Sequence, residues 1–145
     1  MNSPLEKDQT PIDPVIQSSK KSILVIDDSL DMLSLQKTML ELEGFQVFIA
    51  TSGTEALNLL AKITAPDLIL LDMQMEDMSG VEFLKLLELE QPSVVEEVPV
   101  VFMTGMATVP KTKAVGFIRK PAEIGKFLAE VHYYIDKGSP STYHH

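Results

Sequence analysis

The chain has 145 residues, a formal net charge of −9, no cysteine and no tryptophan. This length suits one domain with short tails, and the lack of cysteine excludes disulfide scaffolds, thiolate metal sites and cysteine nucleophiles. No apolar run approaches the roughly 18 residues of a membrane-spanning helix, and the chain does not begin with the apolar stretch of a signal peptide. The sequence therefore predicts a soluble, cytoplasmic protein that makes no contact with membranes.

The charges are unevenly distributed along the chain. Residues 22–97 hold fifteen acidic and three basic residues, whereas residues 98–145 hold three acidic and six basic residues. A pI near 4.7 argues against direct binding of nucleic acid, which requires a net basic surface. Solvated surface charge is the simplest explanation of the imbalance, so the charge alone assigns no function.

Two segments lie outside the predicted core. Residues 1–21 contain three prolines among polar residues and no sustained periodicity, which predicts a flexible N-terminal arm. Residues 138–145 are predicted to form a C-terminal tail, and its last residues, His144 and His145, resemble the beginning of a purification tag. Residues 22–137 remain as one domain.

Short apolar runs rich in branched residues alternate with helical patterns in this domain. The runs predict five strands, at residues 22–26, 46–50, 67–71, 98–103 and 114–118. Helical spacing predicts helices at Leu30–Glu43, from Ser52 to a point before Pro66, from Ser79 to about Glu90 and from Pro121 onward, with Gly44 and Pro92 as stop signals. Ser52 and Ser79 each begin an S-x-x-E capping signature. Continuous apolar strands between amphipathic helices indicate a parallel sheet that helices cover on both faces.

Polar side chains stand where four of these strands end. Asp27 and Asp28 follow the first strand, Asp72 the third, Thr104 the fourth and Lys120 the fifth. The carboxyl ends of parallel strands share one edge of the sheet, and ligands bind there in this class of fold. Three adjacent carboxylates would repel one another, and a hard divalent cation such as Mg²⁺ relieves that repulsion. Each residue alone could be a cap, a turn or a solvated charge, but their coincidence at one edge predicts a site.

The order and spacing of these segments resemble the receiver domain of two-component response regulators. The resemblance rests on ILVIDD at 23–28, LILLDMQM at 68–75 with Gly80 after it, VVFMT at 100–104 and FIRKP at 117–121. It covers nearly all of residues 22–137. It implies a flavodoxin-like, doubly wound α/β fold with five parallel strands in the order 2-1-3-4-5.

The resemblance also implies a role for each residue at the predicted edge. Asp72 corresponds to the phosphoryl acceptor. Asp27 and Asp28 correspond to the acidic pair that binds Mg²⁺ together with Asp72. The backbone carbonyl of Gln74 corresponds to a further ligand of the metal.

Three more positions correspond to the switch of the family. Thr104 matches the hydroxyl that moves onto the phosphoryl group, and Lys120 matches its counter-charge. Phe117 matches the aromatic residue that changes rotamer when the hydroxyl moves. The Lys120–Pro121 bond is typically cis in the family, a geometry that proline adopts at modest cost.

The implied function is that of a stand-alone phosphoacceptor signalling module. Asp72 would accept a phosphoryl group from a histidine kinase or phosphotransfer protein and thereby switch contacts with an unidentified downstream protein. The chemistry would be limited to self-phosphorylation and self-dephosphorylation, so the protein would not be an enzyme with an external substrate. The alternative is a receiver-like interaction domain that works without phosphorylation. A small aspartate-based phosphohydrolase is disfavoured. That enzyme family has its second acid two positions after the nucleophile, whereas Asp27 and Asp28 are adjacent.

Two departures from the family pattern stand out. Glu76 and Asp77 follow Met75 where the family usually has a proline, which adds two carboxylates near the site and predicts a looser loop.

The second departure is the short distance of 16 positions between Thr104 and Lys120. Gly105 and Pro110 interrupt this segment, so the fourth helix is predicted to be short or absent. We therefore expect that the protein does not dimerise through the usual face of the family, and its oligomeric state is left open. The partner would bind another surface or a basic edge formed by Lys111, Lys113, Arg119 and Lys126.

Overall fold

The computed structural model describes residues 20–105, 111–120 and 123–142. The predictions for the arm before Lys20, for the Lys120–Pro121 bond and for His144 and His145 concern residues outside these ranges. The proposed limits of the domain and its tails therefore stay predictions.

Five parallel strands form one sheet in the order β2-β1-β3-β4-β5, which confirms the predicted fold. Their bounds are β1 Ser22–Ile26, β2 Gln46–Ala50, β3 Leu68–Asp72, β4 Val100–Thr104 and β5 Gly116–Arg119. The first two strands have the predicted limits. The last three begin one or two residues later than predicted and extend one residue further, because pairing with a neighbouring strand, rather than local composition, decides where a strand ends.

The helices cover both faces of this sheet. Their bounds are α1 Leu30–Leu42, α2 Gly53–Leu60, α3 Gly80–Glu90, α4 Pro92–Glu97 and α5 Ile124–Lys137, followed by a 3₁₀ turn at Pro140–Thr142. The short helix α4 was not expected, because Pro92 reads as a helix stop. Proline is also favoured at the first position of a helix, and Pro92 begins α4 in that way.

The described residues between β4 and β5, which are Gly105 and residues 111–115, contain no helix. The prediction of a short or absent helix also concerns residues 106–110, which lie outside the described ranges.

The two predicted capping signatures differ in the structure. At α3 the box is complete, because Ser79 Oγ accepts from the Glu82 N–H at 3.0 Å and the Glu82 carboxylate accepts from the Ser79 N–H at 2.9 Å. At α2 only half of it forms. Ser52 Oγ accepts from the Glu55 N–H at 3.0 Å, whereas the Glu55 carboxylate bonds to Thr51 instead.

Two apolar layers hold the helices to the sheet. Alternate residues of each strand face opposite sides, as the two-residue period of a strand requires. Leu24, Ile26, Ile69, Leu71 and Phe102 lie in the layer under α2, α3 and α4. Ile23, Val25, Leu68, Leu70 and Val101 lie in the layer under α1 and α5. The carboxyl ends of β1, β3 and β4 therefore belong to strands that are buried on both faces, whereas β5 is a partly exposed edge strand.

Gln36 is a polar residue in the buried face of α1. It is 2% exposed, and among the described residues its Oε1 has no hydrogen-bond partner. We expect Gln36→Met to raise the free energy of unfolding by about 1 kcal/mol, because it removes an unsatisfied amide oxygen at nearly constant volume. Urea denaturation measures this change. The exposed Gln46→Met is the matched control and should change stability by less than about 0.5 kcal/mol. A loss of stability in Gln36→Met would contradict the expectation.

Candidate functional site

The structure brings the predicted residues to the carboxyl edge of the sheet. Asp27 directly follows β1, and its N–H donates to the Ala50 carbonyl at 3.2 Å. Asp72 is the last residue of β3, and Thr104 is the last residue of β4. Lys120 follows β5, where its N–H donates to the Thr104 carbonyl at 2.7 Å. Regular pairing of adjacent strands thus sets these side chains beside one another, as their positions in the sequence predicted.

The ammonium group of Lys120 joins two of the carboxylates. Its Nζ donates to Asp27 Oδ2 at 3.1 Å and to Asp72 Oδ1 at 3.2 Å. Asp27 is 2% exposed and Asp72 is 8% exposed. Buried carboxylates require a compensating positive charge. Lys120 supplies part of that charge for Asp27 and Asp72.

The protonation of the site follows from these contacts. Burial raises the pKa of Asp72; the charge of Lys120 lowers it in part, and the charge of Asp27 adds to the rise. Burial by itself would lower the pKa of Lys120. The hydrogen bond to Asp27 and the charges of both carboxylates outweigh burial and leave that pKa above its usual value. Lys120 is therefore a cation at neutral pH.

Asp28 completes a group of three carboxylates. One oxygen each from Asp27, Asp28 and Asp72 lies within 4.8 Å of the others. Oxygen donors of this kind suit Mg²⁺, which needs few protein ligands and retains several waters. Asp28 is exposed and the other two are buried, so the group is open to solvent on one side. The donor set fits the predicted metal.

Gln74 lies close to Asp72. Its N–H donates to Asp72 Oδ1 at 3.3 Å, and it pairs with Ser79 in an isolated antiparallel bridge. This bridge closes the base of the loop after β3. The role of the Gln74 carbonyl as a metal ligand stays a prediction.

A cavity of about 380 Å³ opens at this edge of the sheet. It is lined by Asp72, Met73, Gln74, Thr104, Gly105 and Lys120. A carboxylate, a hydroxyl-bearing residue and a cation therefore border one solvent-accessible space, which has room for a small anionic group.

Phe117 lies on the edge strand β5. Its side chain is 38% exposed, and the guanidinium carbon of Arg119 is 5.6 Å from the ring centre. A cation over an aromatic face is an attractive contact. The predicted rotamer change of Phe117 would have to break this contact, and it stays a prediction.

The loop after β3 is not loose, contrary to expectation. The Glu76 N–H donates to Asp28 Oδ2 at 3.0 Å. The Asp77 carboxylate accepts from the N–H groups of Gly53 and Thr54 at 3.1 and 3.0 Å. Sequence analysis missed both contacts, because each partner lies more than 20 positions away along the chain and no local pattern identifies it.

Gly80 is required by a close approach at the end of this loop. A Cβ at this position would lie 2.6 Å from the Asp72 carbonyl oxygen and 3.1 Å from a ring carbon of Phe102. The Gly80 N–H donates to the Met73 carbonyl at 2.7 Å. Glycine therefore allows α3 to begin directly against the end of β3.

In the described part of the chain, no helix has the length and apolarity needed to span a membrane.

Comparison with known proteins agrees with the geometry. A family model described as the response regulator receiver domain matches residues 23–132. The polar-differentiation response regulator DivK of Brucella ovis is 28% identical over 121 residues, which cover 79% of this chain and 96% of that protein. The solved structure of chemotaxis protein CheY4 of Vibrio cholerae has 27% identity and a TM-score of 0.71, over 79% of this chain and 98% of that one. A CheY-like receiver domain protein from Methanospirillum hungatei has 28% identity and a TM-score of 0.70, over 81% and 94% of the two chains. This chain therefore belongs to the response regulator receiver domain family.

Proposed function

We propose that Asp72 accepts a phosphoryl group from the phosphohistidine of a histidine kinase or phosphotransfer protein, in the presence of Mg²⁺. The observation that carries the proposal is the contact of Lys120 Nζ with Asp72 at 3.2 Å and with Asp27 at 3.1 Å, beside a third carboxylate. A carboxylate and a phosphoryl group repel each other, so the transfer needs cations at the acceptor.

The transfer forms a bond between an Asp72 carboxylate oxygen and phosphorus. The phosphorus–nitrogen bond of the donor breaks, its electron pair stays on the imidazole nitrogen, and that nitrogen takes a proton from solvent. Asp27, Asp28 and Asp72 would hold Mg²⁺, together with the carbonyl of Gln74. When bound, the ion supplies positive charge close to the phosphoryl oxygens. The Lys120 ammonium, 3.2 Å from Asp72 Oδ1, would supply a second positive charge.

The product is an acyl phosphate, which water cleaves to restore Asp72 and release inorganic phosphate. The protein modifies only itself and turns over no external substrate. Thr104 borders the cavity, so its hydroxyl is within the region where a phosphoryl group adds negative charge and acceptor oxygens. Movement of Thr104 and Phe117 would change the surface that a downstream protein contacts.

The predicted basic edge is part of the surface that we propose a downstream protein contacts. Lys113 Nζ lies 3.5 Å from Glu88 Oε2 of α3, and both side chains are exposed. Such a pair costs little to separate, so Lys113 is available to an acidic partner. The cytoplasmic location is part of the same proposal.

Intact mass spectrometry tests the function. The protein is incubated with Mg²⁺ and acetyl phosphate, and we expect a gain of one phosphoryl group that hydroxylamine removes, as it does from acyl phosphates. EDTA should prevent the gain. The absence of any gain in a folded protein, with Mg²⁺ shown to bind, would favour the alternative of an interaction domain that works without phosphorylation.

A further inference from the structure

We propose that Asp77 is a positioning residue for the acceptor site. It anchors the loop of residues 73–79, here called the acceptor loop, to the N-terminus of α2, and thereby holds Asp28 in place for the metal. The inference rests on the proposed function, because it concerns the same Mg²⁺ site.

The anchor consists of three hydrogen bonds to one carboxylate. Asp77 Oδ1 accepts from the Gly53 N–H at 3.1 Å, and Oδ2 accepts from the Thr54 N–H and from Thr54 Oγ1, both at 3.0 Å. These donors begin α2, where the backbone N–H groups have no partners within the helix. The partial positive charge of a helix N-terminus also favours a carboxylate.

The anchor satisfies donors that the local cap leaves open. Ser52 is the N-cap of α2 and accepts from the N–H of Glu55. Asp77 takes the two N–H groups before it, from a position 23 and 24 residues away. Burial alone would raise the pKa of Asp77, but the hydrogen bonds from Thr54 and Gly53 outweigh it and lower that pKa. The anchor is therefore an ionised carboxylate at neutral pH.

Packing supports the same contact. A Cβ at Gly53 would lie 2.5 Å from the sulfur of Met78. Met78 follows Asp77, and its side chain thus lies directly on the backbone of the first turn of α2. Hydrogen bonds and a close apolar contact therefore join the acceptor loop to the helix at neighbouring positions.

The anchor residue Asp77 is the chain neighbour of Glu76, which contacts one of the three carboxylates. The Glu76 N–H donates to Asp28 Oδ2 at 3.0 Å, and Glu76 directly precedes Asp77 in the chain. Asp28 is the exposed member of the three carboxylates, so burial does not hold its side chain as it holds Asp27 and Asp72. The position of the Glu76 N–H depends on the conformation of the acceptor loop. Asp77 attaches the tip of that loop to α2. Asp77 therefore holds the Asp28 carboxylate in position through the backbone of Glu76.

The test compares Mg²⁺ affinity across matched variants. Affinity is measured by calorimetry and by the Mg²⁺-dependent rise in Tm, and phosphorylation is measured with acetyl phosphate. We expect Asp77→Ala to weaken Mg²⁺ binding by about tenfold, the lower end of the effect of residues that support metal ligands, and to slow phosphorylation. Asp77→Asn retains an acceptor oxygen at the helix N-terminus and should recover most of the affinity.

Ser52→Ala is the matched control. It removes a cap from the same end of α2 whose hydrogen bond goes to the Glu55 N–H, so it should lower Tm and leave Mg²⁺ affinity unchanged. If Asp77→Ala does not fold, Thr54→Val removes only the hydroxyl donor and should weaken Mg²⁺ binding by a smaller factor. Hydrogen exchange gives a further readout: because coupling is reciprocal, Mg²⁺ should slow exchange of the Gly53 and Thr54 amides in the wild type.

The inference fails if Asp77→Ala binds Mg²⁺ like the wild type, or if Ser52→Ala weakens binding equally. Neither result affects the proposed function, provided that the wild type binds Mg²⁺ and gains a phosphoryl group. A wild type that does neither overturns the proposed function itself, and the inference with it.

Discussion

Asp72→Asn is expected to abolish the mass gain that acetyl phosphate and Mg²⁺ produce. An amide does not attack phosphorus as a carboxylate does, and it binds Mg²⁺ less strongly. Asp27 and Asp28 remain in this variant, but neither of them lines the cavity that Asp72 shares with Thr104 and Lys120. The measurement is intact mass over time. The expected effect is complete loss of the modification.

The variant should still fold, because Lys120 keeps its hydrogen bond to Asp27 at 3.1 Å. Circular dichroism and thermal unfolding establish this point. Asp136→Asn, at an exposed position near the end of α5, is the control and should gain a phosphoryl group like the wild type. A persistent gain in Asp72→Asn would show that another residue is the acceptor and would refute the assignment.

Lys120→Met is expected to have the second large effect. It removes the cation between Asp27 and Asp72 and leaves two buried carboxylates without it. Breaking a buried pair in this way costs about 3 kcal/mol, the lower end of the usual range, because the Lys120 side chain is 23% exposed. Loss of a charged donor at the reacting group should also slow phosphorylation by about a hundredfold or more. Urea denaturation and the time course of the mass gain measure the two effects.

Because the pKa of Lys120 is raised, its ammonium group contributes to stability throughout the physiological pH range. The contacts with Asp27 and Asp72 raise the pKa of Lys120 in the folded protein, although burial acts in the opposite direction. A raised lysine pKa gives stability that is fully present below the ordinary value of 10.5 and is lost as the pH rises through the folded value. The loss in Lys120→Met should therefore be complete at pH 7.

A surface lysine provides the control for Lys120. Lys113→Met removes a cation that lies 3.5 Å from Glu88, and because both partners are exposed, stability should change by less than about 1 kcal/mol. Mg²⁺ should raise the Tm of Lys120→Met more than that of the wild type, since the ion compensates carboxylates that have lost their ammonium partner. An equal rise in both proteins would contradict the role of Lys120 as a counter-charge.

The fold could be predicted because its strands are marked locally. A continuous apolar run such as residues 22–26 is typical of a strand buried on both faces, and Gly44, with a φ of +100°, marks the end of α1. The short helix α4 could not be predicted in the same way. Pro92 is equally consistent with the end of one helix and the first residue of the next, and only packing of Val94 and Val95 into the core decides between them.

The site was predictable to the extent that strand ends determine it. Asp27, Asp72, Thr104 and Lys120 each occupy the end of a strand, and a parallel sheet brings such ends together whatever the distance along the chain. The fold and the edge of the sheet at which Asp72, Thr104 and Lys120 meet could therefore be predicted before the structure was known, whereas Met73 and Gly105 were added to the cavity lining by the structure.

The way in which the acceptor loop is held depends on contacts that arise only in the folded chain. From the sequence, Glu76 and Asp77 indicated a looser loop with added negative charge. In the structure the Glu76 N–H bonds to Asp28, and the Asp77 carboxylate bonds to the start of α2. Hydrogen bonds between segments depend on the approach of two backbones that no local pattern encodes. A carboxylate in a loop becomes an anchor only when packing places unpaired N–H groups within its reach.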